Sequence, residues 1–210
     1  MSFLFVDDGS SDDTLDFIES GFIDNSRFSV LKLHYNKGKG EAIRKGVLHL
    51  IKQSHKYDWV GFLDADLATK LDQIDYFIRY ADSSMVQPDA IFGSRIQRLG
   101  SEIHRSVKRH IFGRLFTTLT SLIFGIKCYD SQCGAKLFRP EILETVFFMP
   151  FVSKWIFDIE IILRLKNKVV IECPLLKWRE MKGSKLKVGK TAIIVLIDLY
   201  KIWKLEYSRI

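Results

Sequence analysis

Two aspartates one residue apart, Asp64 and Asp66, directly follow the apolar run Trp59–Leu63. An apolar run of this length reads as a buried strand, and ligands of open α/β sheets collect at the carboxyl ends of strands. Two carboxylates there can hold a hard divalent cation, Mg2+ or Mn2+, between the protein and a diphosphate. Standing alone, the pair is also compatible with a solvated turn.

Other segments carry weaker signals of the same kind. Val6-Asp7-Asp8-Gly9-Ser10 ends a second apolar run on acids that can accept hydrogen bonds from a base or ribose, and Ser11 or Asp12 can cap the helix that follows. Asn36-Lys37-Gly38-Lys39-Gly40 joins glycines, which let backbone approach a ligand, to lysines that bring charge to phosphates. Its spacing is not that of a P-loop. Gly93-Ser94-Arg95 follows a third apolar run, and Arg105 and Arg109, four apart, share a face of any helix that includes both. Arginine forks suit phosphate oxygens, although solvated surface charge is the usual fate of a single arginine. Three further segments, Asp130 to Phe138, Trp155 to Glu160 and Trp178 to Lys185, contain polar groups whose chemistry is not specified by residue type alone. Asp158 and Glu160 suit the first turn of a helix on dipole grounds. Cys133 has no evident histidine partner and reads as an inert thiol.

These residues need elements to hold them. Short β-type runs alternate with helical patterns, which predicts a mostly parallel mixed sheet flanked by helices, in one domain over residues 1–210. Strands are expected at Phe3–Val6, Val30–Leu33, Val60–Leu63, Ala90–Gly93 and Val169–Cys173. Helices are expected at Asp13–Ser20, Lys39–Lys52, Val107–Phe124, Pro140–Val146, Phe157–Lys166 and Thr191–Glu206. In the helix from Val107, the residues Val107, Ile111, Leu115, Leu119 and Leu122 or Ile123 recur at spacings of three and four, and the other side carries Lys108, Arg109 and Arg114. Such a helix packs its apolar row on the core, the commoner arrangement, or rests it on anionic lipid.

The chain has 210 residues, 47% hydrophobic and 27% charged, with a net charge of +7, so it is globular and suited to anionic partners. No nucleic-acid-binding module signature is present, which argues against a nucleic acid as that partner. The three cysteines have no zinc-site spacing and read as reduced cytosolic thiols, and the N-terminus does not read as a signal peptide. No stretch reaches the roughly 18 apolar residues of a membrane span. The chain should therefore not span a membrane, though it could lie on one, and peripheral attachment at the cytoplasmic side through residues 107–124 is expected.

Taken in order, VDDGSSDDT from Val6, NKGKGEAIRKG from Asn36, FLDADLAT from Phe62, GSR at Gly93, RSVKR at Arg105, SQCGAKLF from Ser131, WIFDIE from Trp155 and KWREMKGSK from Lys177 resemble the family 2 glycosyltransferases. The likeness is strongest to the dolichyl-phosphate β-glucosyltransferase branch, then to dolichyl-phosphate mannose synthases and bacterial polyprenyl-phosphate sugar transferases. It implies a GT-A, Rossmann-like fold and inverting transfer of a hexose from a nucleoside-diphosphate sugar to a polyprenyl or dolichyl phosphate. It implies Asp64 and Asp66 as metal ligands, with Arg95 as a third catalytic residue. Asp7, Asp8, Lys39 and Ala65 fall beside the nucleotide sugar, and Arg105, Arg109, Gln132 and Lys185 beside the acceptor phosphate. Ala68 stands where the mannose synthases carry a glutamine, which favours glucose and hence UDP-glucose. Lys70 replaces the family's usual proline. The family also opens with a strand and a Pro-Ala-Tyr-Asn-Glu-like loop some tens of residues before the acidic turn, whereas Val6 here lies five residues after Met1. The resemblance thus implies a sheet lacking that strand, and a non-catalytic remnant that binds lipid or a partner is the alternative function.

Overall fold

The computed structural model describes residues 1–22, 26–53, 57–181 and 188–208. In chain order these form β1 (Phe3–Asp7), α1 (Thr14–Phe22), β2 (Phe28–Lys32), α2 (Lys39–Lys52), β3 (Val60–Leu63), α3 (Asp72–Asp82), β4 (Ala90–Ser94) and β5 (Glu102–His104). Then come α4 (Val107–Phe124), β6 (Ala135–Phe138), a single 3-10 turn (Pro140–Ile142), α5 (Leu143–Phe147), α6 (Phe157–Arg164), β7 (Val170–Pro174), β8 (Lys177–Arg179) and α7 (Val188–Tyr207).

The main sheet has the order β3-β6-β4-β7. β6 runs antiparallel to both β3 and β4, while β4 and β7 are parallel. Two further parallel pairs, β1 with β2 and β5 with β8, form small separate sheets. The main sheet is therefore mixed, with one parallel and two antiparallel ladders among the described residues, so it is not the mostly parallel sheet expected, although both small sheets are parallel. The antiparallel centre follows from β6, a four-residue strand interrupted by Lys136 that hydrophobic pattern alone does not single out.

Alternation along the strands splits the core between two faces. Phe92 and Phe138 pack with Val60, Val47 and Phe147 under α2, α5 and α6. Their neighbours Ile91 and Leu137 point the other way, against Ile74, Phe77 and Ala81 of α3. α3 was not anticipated, although Ile74, Phe77 and Ala81 have helical spacing and Asp72 and Asp75 sit in its favourable first turn. A third cluster joins the end of α4 to α6 and α7 through Phe124, Ile159, Leu163, Leu199 and Ile202. α2 leans on β1 as well as on the main sheet. A Cβ on Gly46 would lie 2.8 Å from a methyl of Val6, so glycine is required for that approach.

α4 corrects the commoner expectation. Its apolar row faces outward: Val107, Ile111, Leu115 and Leu122 are 73%, 52%, 60% and 80% exposed. The inward residues are instead Thr117, Thr120 and Phe124. Threonine can face inward here because each hydroxyl finds a carbonyl in its own helix, Thr117 Oγ1 donating to Gly113 O at 3.0 Å and Thr120 Oγ1 to Thr117 O at 3.0 Å. Gly125, left-handed at φ 68°, ends the helix. α7 is similar, with Ile193, Leu196 and Tyr200 exposed while Leu199 and Ile202 are buried. Among the described residues no helix is long and apolar enough to cross a membrane.

Candidate active site

β3 delivers Asp64-Ala65-Asp66, β1 delivers Asp7 and Asp8, and β4 delivers Ser94 and Arg95. Asp64 is fixed from behind, its N–H donating to Gly134 O at 2.9 Å. Any Cβ at Gly134 would collide with the Asp64 carboxylate, so the 131–134 loop presses directly on it. Lys39 Nζ, at the start of α2, reaches Asp64 Oδ1 at 2.5 Å. Asp64 Oδ1 is otherwise buried and accepts no well-directed hydrogen bond. Asp66 is exposed and accepts from Ala68 N at 3.0 Å, which tightens the turn that puts Leu67 at φ 53°.

The donor set fits a hard divalent ion. One carboxylate oxygen is held ready against a cation, and a second carboxylate stands two residues on. Mg2+ or Mn2+ is commonly bound by one or two carboxylates together with substrate phosphates. Among the described residues no cluster of three or more acidic, histidine or cysteine side chains forms a complete protein cage. Ala65 is exposed between the two acids, where a small side chain leaves the approach open.

Asp7 and Asp8 have structural work that residue type did not reveal. Asp7 is buried and accepts from Ser10 N at 3.1 Å and from the Ser10 hydroxyl. Asp8 accepts from Lys37 N at 3.0 Å and Gly38 N at 2.7 Å, clamping the basic loop that leads to Lys39. Gly9, at φ +74°, lets the two loops touch, since a Cβ there would lie 2.9 Å from Asn36 N. Of the two candidate caps for α1, Asp12 accepts from Thr14 N at 3.2 Å.

The arginines separate into spent and unspent charges. Arg95 is held by Asp130 through two side-chain bonds of 2.6 and 2.7 Å, and its N–H adds a third at 3.0 Å. Burial alone would lower the Arg95 guanidinium's affinity for its proton, but Asp130 raises it above its ordinary value. Burial likewise works to raise Asp130, and Arg95 wins, leaving the carboxyl below the usual range. Glu172 on β7 anchors this pair from below, accepting from Tyr129 N at 2.7 Å and Asp130 N at 2.9 Å. Arg109 pairs with Glu180 at 3.0 Å.

Arg105 differs. Among the described residues it has no ion pair, and burial, together with the repulsion of Arg95, lowers its proton affinity. It lines a narrow cavity with Arg95, Asp130, Arg114, His110, Tyr129 and Gln132, and the Asp130 carboxylate is already taken by Arg95. Gln132 Nε2 is buried with no acceptor. The cavity thus gathers donors and positive charge with too few protein acceptors, which is the chemistry of an anion site. Lys185 lies outside the described residues.

Several residues that shape the site were missed as such. Lys136, fully buried, reaches Asp158 Oδ1 at 2.5 Å, Cys133 O at 2.7 Å and Ser131 O at 3.1 Å. The β-register places it between Phe62 and Phe92, with its ammonium 5.5 and 5.1 Å from their ring centres. Its one sequence signal is a lysine inside an otherwise apolar run. Asp158 and Glu160 lie in the first turn of α6, where the helix dipole favours acids, and both are buried. Glu160 accepts from Val152 and Ser153 N–H groups at 3.0 Å, and burial raises its carboxyl above the ordinary value in spite of those bonds.

A family model described as "Glycosyl transferase family 2" matches residues 2–147. The chain belongs to that family. Among curated family relatives, the dolichyl-phosphate beta-glucosyltransferase of Saccharomyces cerevisiae is 33% identical over 213 residues, covering 93% of this chain and 62% of its own length. The enzyme of the same name from Homo sapiens is 30% identical, covering 98% of this chain and 67% of its own length. The chain thus spans less than two thirds of the first of these relatives. In solved structures, mannosyl-3-phosphoglycerate synthase from Rubrobacter xylanophilus superposes with TM-score 0.66 at 13% identity, over 100% of this chain and 65% of that one. Glucosyl-3-phosphoglycerate synthase from Mycobacterium tuberculosis, in complex with phosphoglyceric acid, gives TM-score 0.64 at 19% identity over 95% and 67%. The fold is therefore the GT-A type that the motifs imply.

Proposed function

We propose that this chain transfers glucose from UDP-glucose to the phosphate of a dolichyl or polyprenyl lipid, with inversion at the anomeric carbon. The observation that carries the reading is the Arg105–Gln132 cavity, whose one lining carboxylate, Asp130, is already held by Arg95, so that Arg105 has no ion pair among the described residues and Gln132 Nε2 has no acceptor. The names of the relatives, dolichyl-phosphate beta-glucosyltransferases, support the acceptor and the sugar. A glucosyl-3-phosphoglycerate synthase crystallised with Mn2+ and UDP-glucose supports the donor and the ion.

In this reading Asp64 and Asp66 hold the divalent ion, which when bound neutralises charge on the departing diphosphate. Lys39 then turns from Asp64 toward a donor phosphate oxygen. Asp8 keeps the Lys37–Gly38 backbone in place for the nucleotide half, and Asp7 stiffens the turn beside it. Arg105 and Gln132 hold the acceptor phosphate. Arg95, locked by Asp130, orients the cavity wall. A phosphate oxygen forms the new bond to C1 as the bond from C1 to the UDP oxygen breaks, and UDP leaves with the electron pair. The acceptor is already anionic at neutral pH, so no side chain has to remove a proton, and positioning with electrostatic stabilisation suffices.

The outward rows of α4 and α7 seat the chain on a membrane surface. Tyr200, Trp203 and Tyr207 line α7 in contact, with ring centres 6.2 and 5.3 Å apart, a side-chain type favoured at the headgroup level. The free thiols Cys128, Cys133 and Cys173 suit the reducing, cytoplasmic side.

Transfer of labelled glucose from UDP-glucose to polyprenyl phosphate, with Mn2+ or Mg2+, tests the reading. Asp66→Ala is expected to abolish metal-dependent donor binding, and Arg105→Ala to raise the acceptor KM by ~10-fold or more, the scale of one lost charged hydrogen bond. Transfer from GDP-mannose but not UDP-glucose would overturn the sugar assignment. A folded chain that binds polyprenyl phosphate without turnover would favour the lipid-binding alternative.

A further inference from the structure

Arg114 and Tyr129 lie at the boundary between two cavities, and the second has no assigned role. The Arg114 guanidinium lies 4.0 Å from the centre of the Tyr129 ring and donates to Tyr129 O at 3.3 Å. On one side is the narrow cationic cavity of Arg105 and Gln132. On the other, sharing Arg114, Thr117 and Tyr129 with it, an open groove of about 370 Å³ runs between α4 and the segment Ile126 to Tyr129. That volume falls within the range of small-molecule sites.

The groove's walls are graded. Its inner end carries the Arg114 charge. Its middle is formed by Thr117, Thr118, Ser121, Ile126 and Cys128, small or apolar groups, with the exposed Lys127 on the same wall as Ile126 and Cys128. Its outer rim is Leu122, 80% exposed, which also ends the outward apolar row of α4. Thr117 and Ser121, four residues apart, stand one above the other on the helix, and their size keeps the channel open. The Thr117 hydroxyl is already bonded within the helix, so that residue offers its methyl group to a ligand.

We infer that this groove holds the first isoprene units of the acceptor lipid, leading the chain from the cationic cavity out to the apolar row of α4. The inference rests on the acceptor reading above. A phosphate joined to a long hydrocarbon needs a cationic pocket continuous with an apolar exit, and the two cavities supply both ends through three shared residues. Leu122 then hands the chain from groove to bilayer. Arg114, at the boundary, meets the phosphate from the lipid side.

Chain-length dependence provides the test. Isopentenyl, geranyl and farnesyl phosphate are titrated at submicellar concentration into the whole chain and into Ser121→Trp and Thr118→Trp, which fill the groove from two positions. Circular dichroism verifies that each variant is folded. In the parent, affinity is expected to rise at least tenfold from isopentenyl to farnesyl phosphate. In both variants that gain flattens to under threefold while isopentenyl phosphate binds as before. A folded variant pair that keeps the full gain would overturn the groove and leave the acceptor reading standing. A parent that binds none of the three would overturn the acceptor reading itself, and the groove with it.

Discussion

Arg95 and Asp130 have side chains only 14% and 9% exposed, so their charges survive only as a pair. Breaking such a pair leaves an uncompensated buried charge and costs roughly 3–5 kcal/mol. Asp130→Asn should therefore unfold at lower urea concentration at pH 7. The pH dependence carries a definite sign. The Asp130 carboxyl sits below its ordinary 3.8 in the folded chain, so its contribution is fully present above that value and is lost as pH falls through the folded pKa. The stability gap between parent and Asp130→Asn is expected to be constant from pH 7 to 5 and to shrink below pH 3.8, as acid and urea titrations followed by circular dichroism would show. A gap that stayed constant to pH 2 would mean that the pair is not the source of the stability. At this scale the aspartates of β1 and β3 were legible because acids at strand ends are unusual. The division of arginines into spent and unspent was not, because Asp130 and Glu180 lie 35 and 71 residues from their partners, by subtraction of residue numbers.

Between elements, Lys136 ties β6 to α6 through Asp158 and holds two carbonyls of the loop that presses on Asp64. Lys136→Met should destabilise by roughly 3–5 kcal/mol, since Asp158 would remain buried alone. Lys136→Met with Asp158→Leu should recover much of that loss, because apolar replacement of a whole buried pair is often neutral. Urea midpoints of the three proteins decide it, and a single variant as stable as the parent would show that the pair contributes nothing. α4 yields a contrasting prediction. Leu115→Asp and Leu122→Asp change exposed positions, so thermal stability should move by no more than about 0.5 kcal/mol. Together they should reduce flotation with anionic liposomes severalfold. Unchanged flotation would place the membrane contact elsewhere. The period of α4 was plain in the sequence, but which face turns inward was not. Apolar spacing identifies a stripe; only the neighbours of a helix determine what that stripe meets.

Across the whole molecule, the core is divided by a mixed sheet, with α2 packed against both β1 and the main sheet. Cys133 and Cys173 lie in the core on the α3 side of that sheet. Burial pushes their thiols up, to about 11 and about 12. At pH 8 both are neutral and enclosed, so alkylation by iodoacetamide is expected to be slow in the native chain and to accelerate only through the urea transition. Labelling of these two thiols well before the circular-dichroism midpoint would reveal local opening of the sheet. The sequence by itself determined the alternation of strands and helices, the acidic strand ends, the basic loop before α2 and the family, because each depends on residue type at short spacing. Tertiary structure alone decided that β6 enters the sheet antiparallel, that the α4 stripe faces out, that Asp8 holds a loop, and that Arg105 has no ion pair among the described residues. Those outcomes depend on groups brought together from distant parts of the chain, where burial and competition for partners, rather than local pattern, set which charge is satisfied and which remains for a ligand.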